Sequence, residues 1–131
     1  MRVIVTGDRG WECDELAAAI VGRLADRQGP DLVIVRAEAG GVASAFSRAA
    51  LALGLVVETH PDPARMIERG SGLCLAVHRY LRGSRDTREL AIRAVAAGIP
   101  TYLIDGSNPE PSRLRAGDSR LVGRANLAKL V

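Results

Sequence analysis

Short apolar runs alternate with helix-patterned stretches along this 131-residue chain, and that alternation constrains the fold more than any other feature. A β-branched run over 2–6 predicts a first strand, ended by Gly7. Over 12–27, Leu16, Ala19, Ile20, Arg23 and Leu24 recur at helical spacing, with Asp14 and Glu15 early, where acids suit the helix dipole. Gly29-Pro30 stops that helix, and Asp-Leu-Val-Ile-Val over 31–35 is apolar enough for a strand buried on both faces. Gly40-Gly41 opens an alanine-rich helix that runs to about Leu53 and closes at Gly54. The pattern then repeats, with a strand over 55–58, a loop with a short helix over 61–69, and a strand over 73–77. A helix over 86–97, ended by Gly98-Ile99-Pro100, leads to a fifth strand over 101–104.

Strands joined by helices of ten or more residues require right-handed crossovers and a parallel sheet covered on both faces. The expected fold is therefore α/β: a Rossmann-like, doubly wound domain over residues 1–106, with a mainly parallel five-stranded sheet. Residues 107–131 read as a basic C-terminal extension. The net charge is +3, yet residues 1–106 balance thirteen basic against thirteen acidic side chains. The excess comes from Arg113, Arg115, Arg120, Arg124 and Lys129 against Glu110 and Asp118. Such a tail suits nucleic acid or a partner subunit, or is simply a solvated extension. Aromatic residues for base stacking make up only 3% of the chain, which argues against nucleic acid.

No apolar stretch approaches the roughly 20 residues of a membrane span. Met-Arg-Val-Ile-Val-Thr-Gly reads as a strand and not as a signal peptide, so a cytoplasmic location is expected. Cys13 and Cys74 read as buried thiols, and with His60 and His78 far apart there is no metal-ligand spacing.

In a sheet of this kind ligands sit beyond the carboxyl ends of the strands, near the point where strand order reverses. Three segments fall there: Thr6-Gly7-Asp8-Arg9-Gly10-Trp11, Ala37-Glu38-Ala39-Gly40-Gly41, and His78 through Thr87. The third contains Gly83-Ser84-Arg85-Asp86-Thr87, a small, hydroxyl-rich turn between a strand and a helix. Unpaired N–H groups and the helix dipole favour phosphate at such a turn. The candidate ligand-binding residues are Gly7, Asp8, Arg9, Trp11, Glu38, Gly40, Gly41, His78, Ser84, Arg85, Asp86 and Thr87.

Several of these carry two readings. Arg9 suits bidentate phosphate binding, or pairs with Asp8 or Glu12. Trp11 stacks on a base or lids the core. Glu38 binds a ribose hydroxyl or a phosphate-bound metal, or is a solvated loop acid. His78 faces the crevice or caps the sheet, with no orienting partner in sequence for acid–base work. Asp86 caps the helix or faces the ligand. The first segment lacks the glycine spacing of a dinucleotide fingerprint, and Lys129 is the only lysine, so neither ordinary NAD binding nor a P-loop fits. No cofactor is expected beyond the ligand itself.

Val3-Ile4-Val5-Thr6-Gly7-Asp8-Arg9-Gly10-Trp11 resembles the opening motif of the YspA-like proteins of the SLOG superfamily. Glu38-Ala39-Gly40-Gly41-Val42-Ala43 is similar to that family's glycine-rich second motif. Cys74-Leu75-Ala76-Val77-His78, Ser84-Arg85-Asp86-Thr87 and Ala97-Gly98-Ile99-Pro100 resemble its third block. The resemblance spans 2–104 and implies binding or sensing of a nucleotide or a derivative such as an ADP-ribose-like molecule, with no assigned reaction. A nucleotide-binding sensor or carrier of this kind is expected to assemble as a homo-oligomer through its alanine-rich helices.

The departures matter as well. Asp86 stands where the family has glycine, and Ala37 and Ala43 replace a glycine and an acid of the second motif. The LOG phosphoribohydrolases of the same superfamily carry a glutamate three residues after the threonine; here that residue is Leu90, and Glu89 falls one short. The partner arginine aligns near Asp62-Pro63, with Arg65 nearby. The alternatives are therefore a nucleoside-monophosphate phosphoribohydrolase using Glu38 or Glu89, or a DprA-like DNA-binding role relying on the tail.

Overall fold

In the computed structural model, which describes residues 1–37, 40–106 and 110–122, every predicted strand forms and one more joins them. The order is β1 (Arg2–Gly7), α1 (Asp14–Gln28), β2 (Val33–Ala37), α2 (Val42–Ala52), β3 (Val56–His60), α3 (Pro63–Glu68), β4 (Leu73–Val77), α4 (Arg85–Ala96), β5 (Thr101–Ile104) and β6 (Ser112–Leu114). The sheet order is β3-β2-β1-β4-β5-β6. All pairs are parallel except β5 with β6. The fold is Rossmann-like α/β, and strand order reverses between β1 and β4.

Alternate side chains of each strand serve opposite layers. Val3, Val5, Ile34, Leu75 and Val77 meet α1 and α2 through Leu16, Ile20 and Phe46. Ile4, Val35 and Cys74 meet α3 and α4 through Met66, Leu90 and Ala94. Both faces of the central strands are thus apolar, which is why those runs lack a polar alternation. Phe46 is fully buried, and its truncation to alanine would cost about 3–5 kcal/mol. Among the alanines of α2, Ala45 and Ala50 are buried in the core layer shared with the sheet and α1, and Ala43 is buried as well.

The sixth strand corrects the expectation of five. Ser112–Leu114 lies within the segment read as an extension, and pairs antiparallel with β5 through Thr101–Leu114 and Leu103–Ser112. Its three residues, of which only Leu114 is buried, are too few to show a period. A 3₁₀ turn at Ser119–Leu121 then packs Leu121 beside Leu81 and Ala91. Two of the cations described there are engaged. Arg113 donates to the Tyr102 hydroxyl at 3.2 Å with its guanidinium over the ring, and Arg120 donates to Asp118 at 2.8 Å. Arg124 and Lys129 lie outside the described residues.

Two element boundaries also moved. Asp31 belongs to a 3₁₀ turn over Gly29–Asp31, because Pro30 carries the chain one more turn before β2 begins. Asp86 is not the cap of α4. Ser84 is, its Oγ accepting from the Thr87 N–H at 3.4 Å. Cys13 and Cys74 are free and buried, and burial pushes the Cys74 thiol up to about 12, so it is inert as a nucleophile at neutral pH. Among the described residues no helix is long and apolar enough to cross a membrane.

Candidate functional site

The carboxyl ends of β1 and β2 open into a cleft of about 500 Å³. Its floor and near wall are Val5, Thr6, Gly7, Ala37 and Ala43; Pro61, Asp62 and Pro63 enter from the start of α3. The far wall is one face of α4, carrying Asp86, Thr87, Glu89, Leu90 and Arg93, and Arg9 stands at the mouth. This is the crevice beside the reversal of strand order, where doubly wound sheets bind ligands.

The loops around the cleft are shaped by their contact with one another. A Cβ on Gly7 would lie 2.2 Å from the Val77 carbonyl oxygen and 2.7 Å from a Val42 methyl, so only glycine lets α2 start against the end of β1. Gly41 has φ +60°, and a Cβ there would lie 2.4 Å from the carbonyl oxygens of both Asp8 and Arg9. The Val42 N–H donates to the Asp8 carbonyl at 3.1 Å, locking the two loops together. Gly40 has no such constraint, its nearest neighbour being 3.8 Å away. Ala43 sits one residue into α2 and lines the cleft.

Of the sequence candidates, Gly7, Arg9, Asp86 and Thr87 line the cleft. Arg9 Nη2 donates to Asp86 Oδ2 at 3.2 Å, and not to Asp8 or Glu12 as its ion-pair reading expected. Both side chains are more than 70% exposed, so the pair adds little stability and leaves the guanidinium available. Thr87 is buried on the same wall. Ser84 caps the helix, and Arg85 donates to Glu89 at 3.0 Å, a contact that raises the Arg85 pKa. Glu38 lies outside the described residues, and so does Ala39.

Asp8, Trp11 and His78 form a separate group outside the cleft. Asp8 Oδ1 accepts from the Gly10 N–H at 2.9 Å, and Oδ2 accepts from Arg79 Nη2 at 3.0 Å. Partial burial pushes the Asp8 carboxyl up, but the Gly10 N–H and the Arg79 guanidinium outweigh it and hold the group below its ordinary value. The Arg79 guanidinium lies 5.3 Å from the Trp11 ring centroid, a cation–π contact that explains the tryptophan without a base. His78 Nδ1 accepts from the Tyr80 N–H at 2.9 Å, so the neutral ring carries its proton on Nε2. Burial lowers the His78 pKa, with Asp8 opposing.

Sequence reasoning missed Arg79, Asp62 and Arg93. Arg79 directly follows His78 and carries no motif of its own. Arg93 had one faint signal, its position seven residues after Asp86 and so on the same helix face. Leu90, in the place of the hydrolase glutamate, is buried against Met66, whereas Glu89 does reach the cleft wall. A second groove of about 440 Å³ lies on the α1 face, floored by Leu73, Leu75, Tyr102 and Ile104 and far from these groups. No family model, curated protein or solved structure matches the chain.

Proposed function

We propose that the cleft binds a nucleotide or a nucleotide derivative, an ADP-ribose-like molecule or a nucleoside phosphate, with its phosphate at the mouth. The carrying observation is Arg9. Its guanidinium, exposed and engaged among the described residues by Asp86 alone, is poised between the loop after β1 and the first turn of α4. A phosphate there would receive a charge-assisted bidentate contact from Arg9 together with the N–H groups of Arg85 and Asp86, that of Thr87 being given to Ser84. The volume suits a ligand of nucleotide size, and Val5, Ala37, Ala43 and Leu90 supply the apolar surface that a base or sugar face needs. The resemblance to the YspA-like proteins supports the same reading, as a sensor or carrier and not as a catalyst.

A phosphoribohydrolase is the second reading, and one observation speaks to it: Glu89 lines the cleft. That carboxylate is held by Arg85, and Leu90 leaves the other position apolar. The described part of the tail, its Arg113 and Arg120 already engaged, offers little to DNA. Assembly belongs to the same proposal. Leu51, Leu53 and Val56 stand more than half exposed at the end of α2 and the start of the edge strand β3, an apolar surface that a second copy would cover.

A thermal-shift screen of nucleoside mono- and diphosphates and ADP-ribose tests the reading. Stabilisation without turnover, lost in Arg9→Ala, is expected. Free base released from a monophosphate would favour the hydrolase, and no shift with any nucleotide would overturn the binding reading.

A further inference from the structure

We infer that the cleft recognises a ligand with two separated anionic groups, Arg93 being the specificity-determining contact for the second. The inference rests on the nucleotide reading and sharpens its substrate class. Each carboxylate on the cleft already has a partner within the protein. Asp62 Oδ1 accepts from the Ala64 N–H at 3.0 Å, capping α3. Asp86 is held by Arg9, and Glu89 by Arg85. Arg93 is exposed on the same wall and has no ion pair or side-chain hydrogen bond among the described residues. Arg93 is therefore the lining cation left without a carboxylate among the described residues, as Asp62 is the lining carboxylate held only by a backbone N–H, and it stands on α4 at the end away from Arg9.

The spacing follows from helix geometry. Asp86 and Arg93 are seven residues apart, two turns on one face of α4, which places their Cα atoms about 10 Å apart along the axis. A single phosphate at Arg9 leaves Arg93 unused. A nucleoside bearing phosphates at both its 5′ and 3′ positions presents anions at both ends of the sugar, within the combined reach of the two flexible arginines. Contiguous phosphates, as in a nucleoside 5′-diphosphate, concentrate the same kind of charge at one end. A last-turn arginine also complements the dipole of its helix, a role that would affect stability and not ligand choice.

Calorimetric titration decides it. The wild type, Arg9→Ala and Arg93→Ala are titrated with the 5′-monophosphate, 5′-diphosphate and 3′,5′-bisphosphate of adenosine and of guanosine. The expected result is a 3′,5′-bisphosphate bound about tenfold tighter than its monophosphate by the wild type, with a much smaller gain for the diphosphate. Arg93→Ala should erase that preference while monophosphate binding is retained, whereas Arg9→Ala should weaken all three ligands. Monophosphate binding with no bisphosphate preference, or equal losses for every ligand in Arg93→Ala, overturns the second-anion inference and leaves the nucleotide reading standing. If none of the six nucleotides binds, the second-anion inference falls, and if ADP-ribose fails as well the nucleotide reading falls with it.

Discussion

Arg9 Nη2 lies 3.2 Å from Asp86 Oδ2, joining the loop after β1 to the first turn of α4 across 77 residues of sequence. The acid stands where an incoming phosphate would stand, so binding must exchange one anion for another. Asp86→Asn removes the competitor and a like charge beside the ligand. Nucleoside monophosphate affinity should rise by about three- to tenfold. Because the pair is exposed, the melting temperature should change little. Weaker binding in Asp86→Asn would show instead that the carboxylate contacts the ligand directly.

Gly7 and Gly41 were read as ligand residues, and the structure gives both a packing reason. Gly7→Ala forces a methyl into the Val77 carbonyl and Val42, and should destabilise by about 3 kcal/mol. Gly41→Ala adds left-handed strain to a similar overlap and should cost at least as much. Gly40→Ala meets nothing closer than 3.8 Å and should stay within about 0.5 kcal/mol of the wild type. Urea unfolding of the three variants provides the comparison, and equal stabilities would refute the packing account.

The first five strands were legible because a parallel sheet buried on both faces leaves continuous apolar runs in the sequence. Leu73–Val77 and Thr101–Ile104 were read to the residue for that reason. Ser112–Leu114 was not, since an edge strand of three residues with one buried side chain has no period to detect. The cleft was legible in part. Arg9 sits just past the end of β1, and Asp86 and Thr87 open the helix that follows β4, so the strand–loop–helix pattern points to all three. Trp11 and Asp8 sit in the same loops but are drawn to Arg79, a contact between side chains that no local pattern encodes. Arg93 lies two turns into a helix, beyond the reach of any strand-end rule.

Acid should weaken the fold in two stages. The His78 pKa is lowered from 6.5, so below pH 6.5 the unfolded chain binds a proton that the native ring resists. The stabilisation is complete above that pH and is lost as pH falls through the folded value. His78→Asn, whose amide oxygen can still accept from the Tyr80 N–H, should flatten the slope of melting temperature between pH 7 and 5. An unchanged slope would count against His78 as its source.

A second acid limb belongs to Glu58 and Asp8. Glu58 accepts from Arg2 and from His60, and the Arg2 contact above all holds its carboxyl below the ordinary value of 4.5. A depressed carboxylate contributes stability above its unfolded value and loses it as pH falls through the folded one. Glu58→Gln leaves Arg2 beside a neutral partner and should cost about 1–3 kcal/mol at pH 7, with a smaller penalty below pH 4. Chemical denaturation at both pH values measures the difference, and an equal penalty at each would contradict it.

Amide chemical-shift mapping during titration with a nucleoside 5′-monophosphate tests the central claim most directly. The account predicts saturable shifts concentrated at residues 7–10, 62 and 85–93, with those of 85–87 largest, and their loss in Arg9→Ala. Shifts centred on Leu73, Tyr102 and the groove of the α1 face, or none at any concentration, would contradict it.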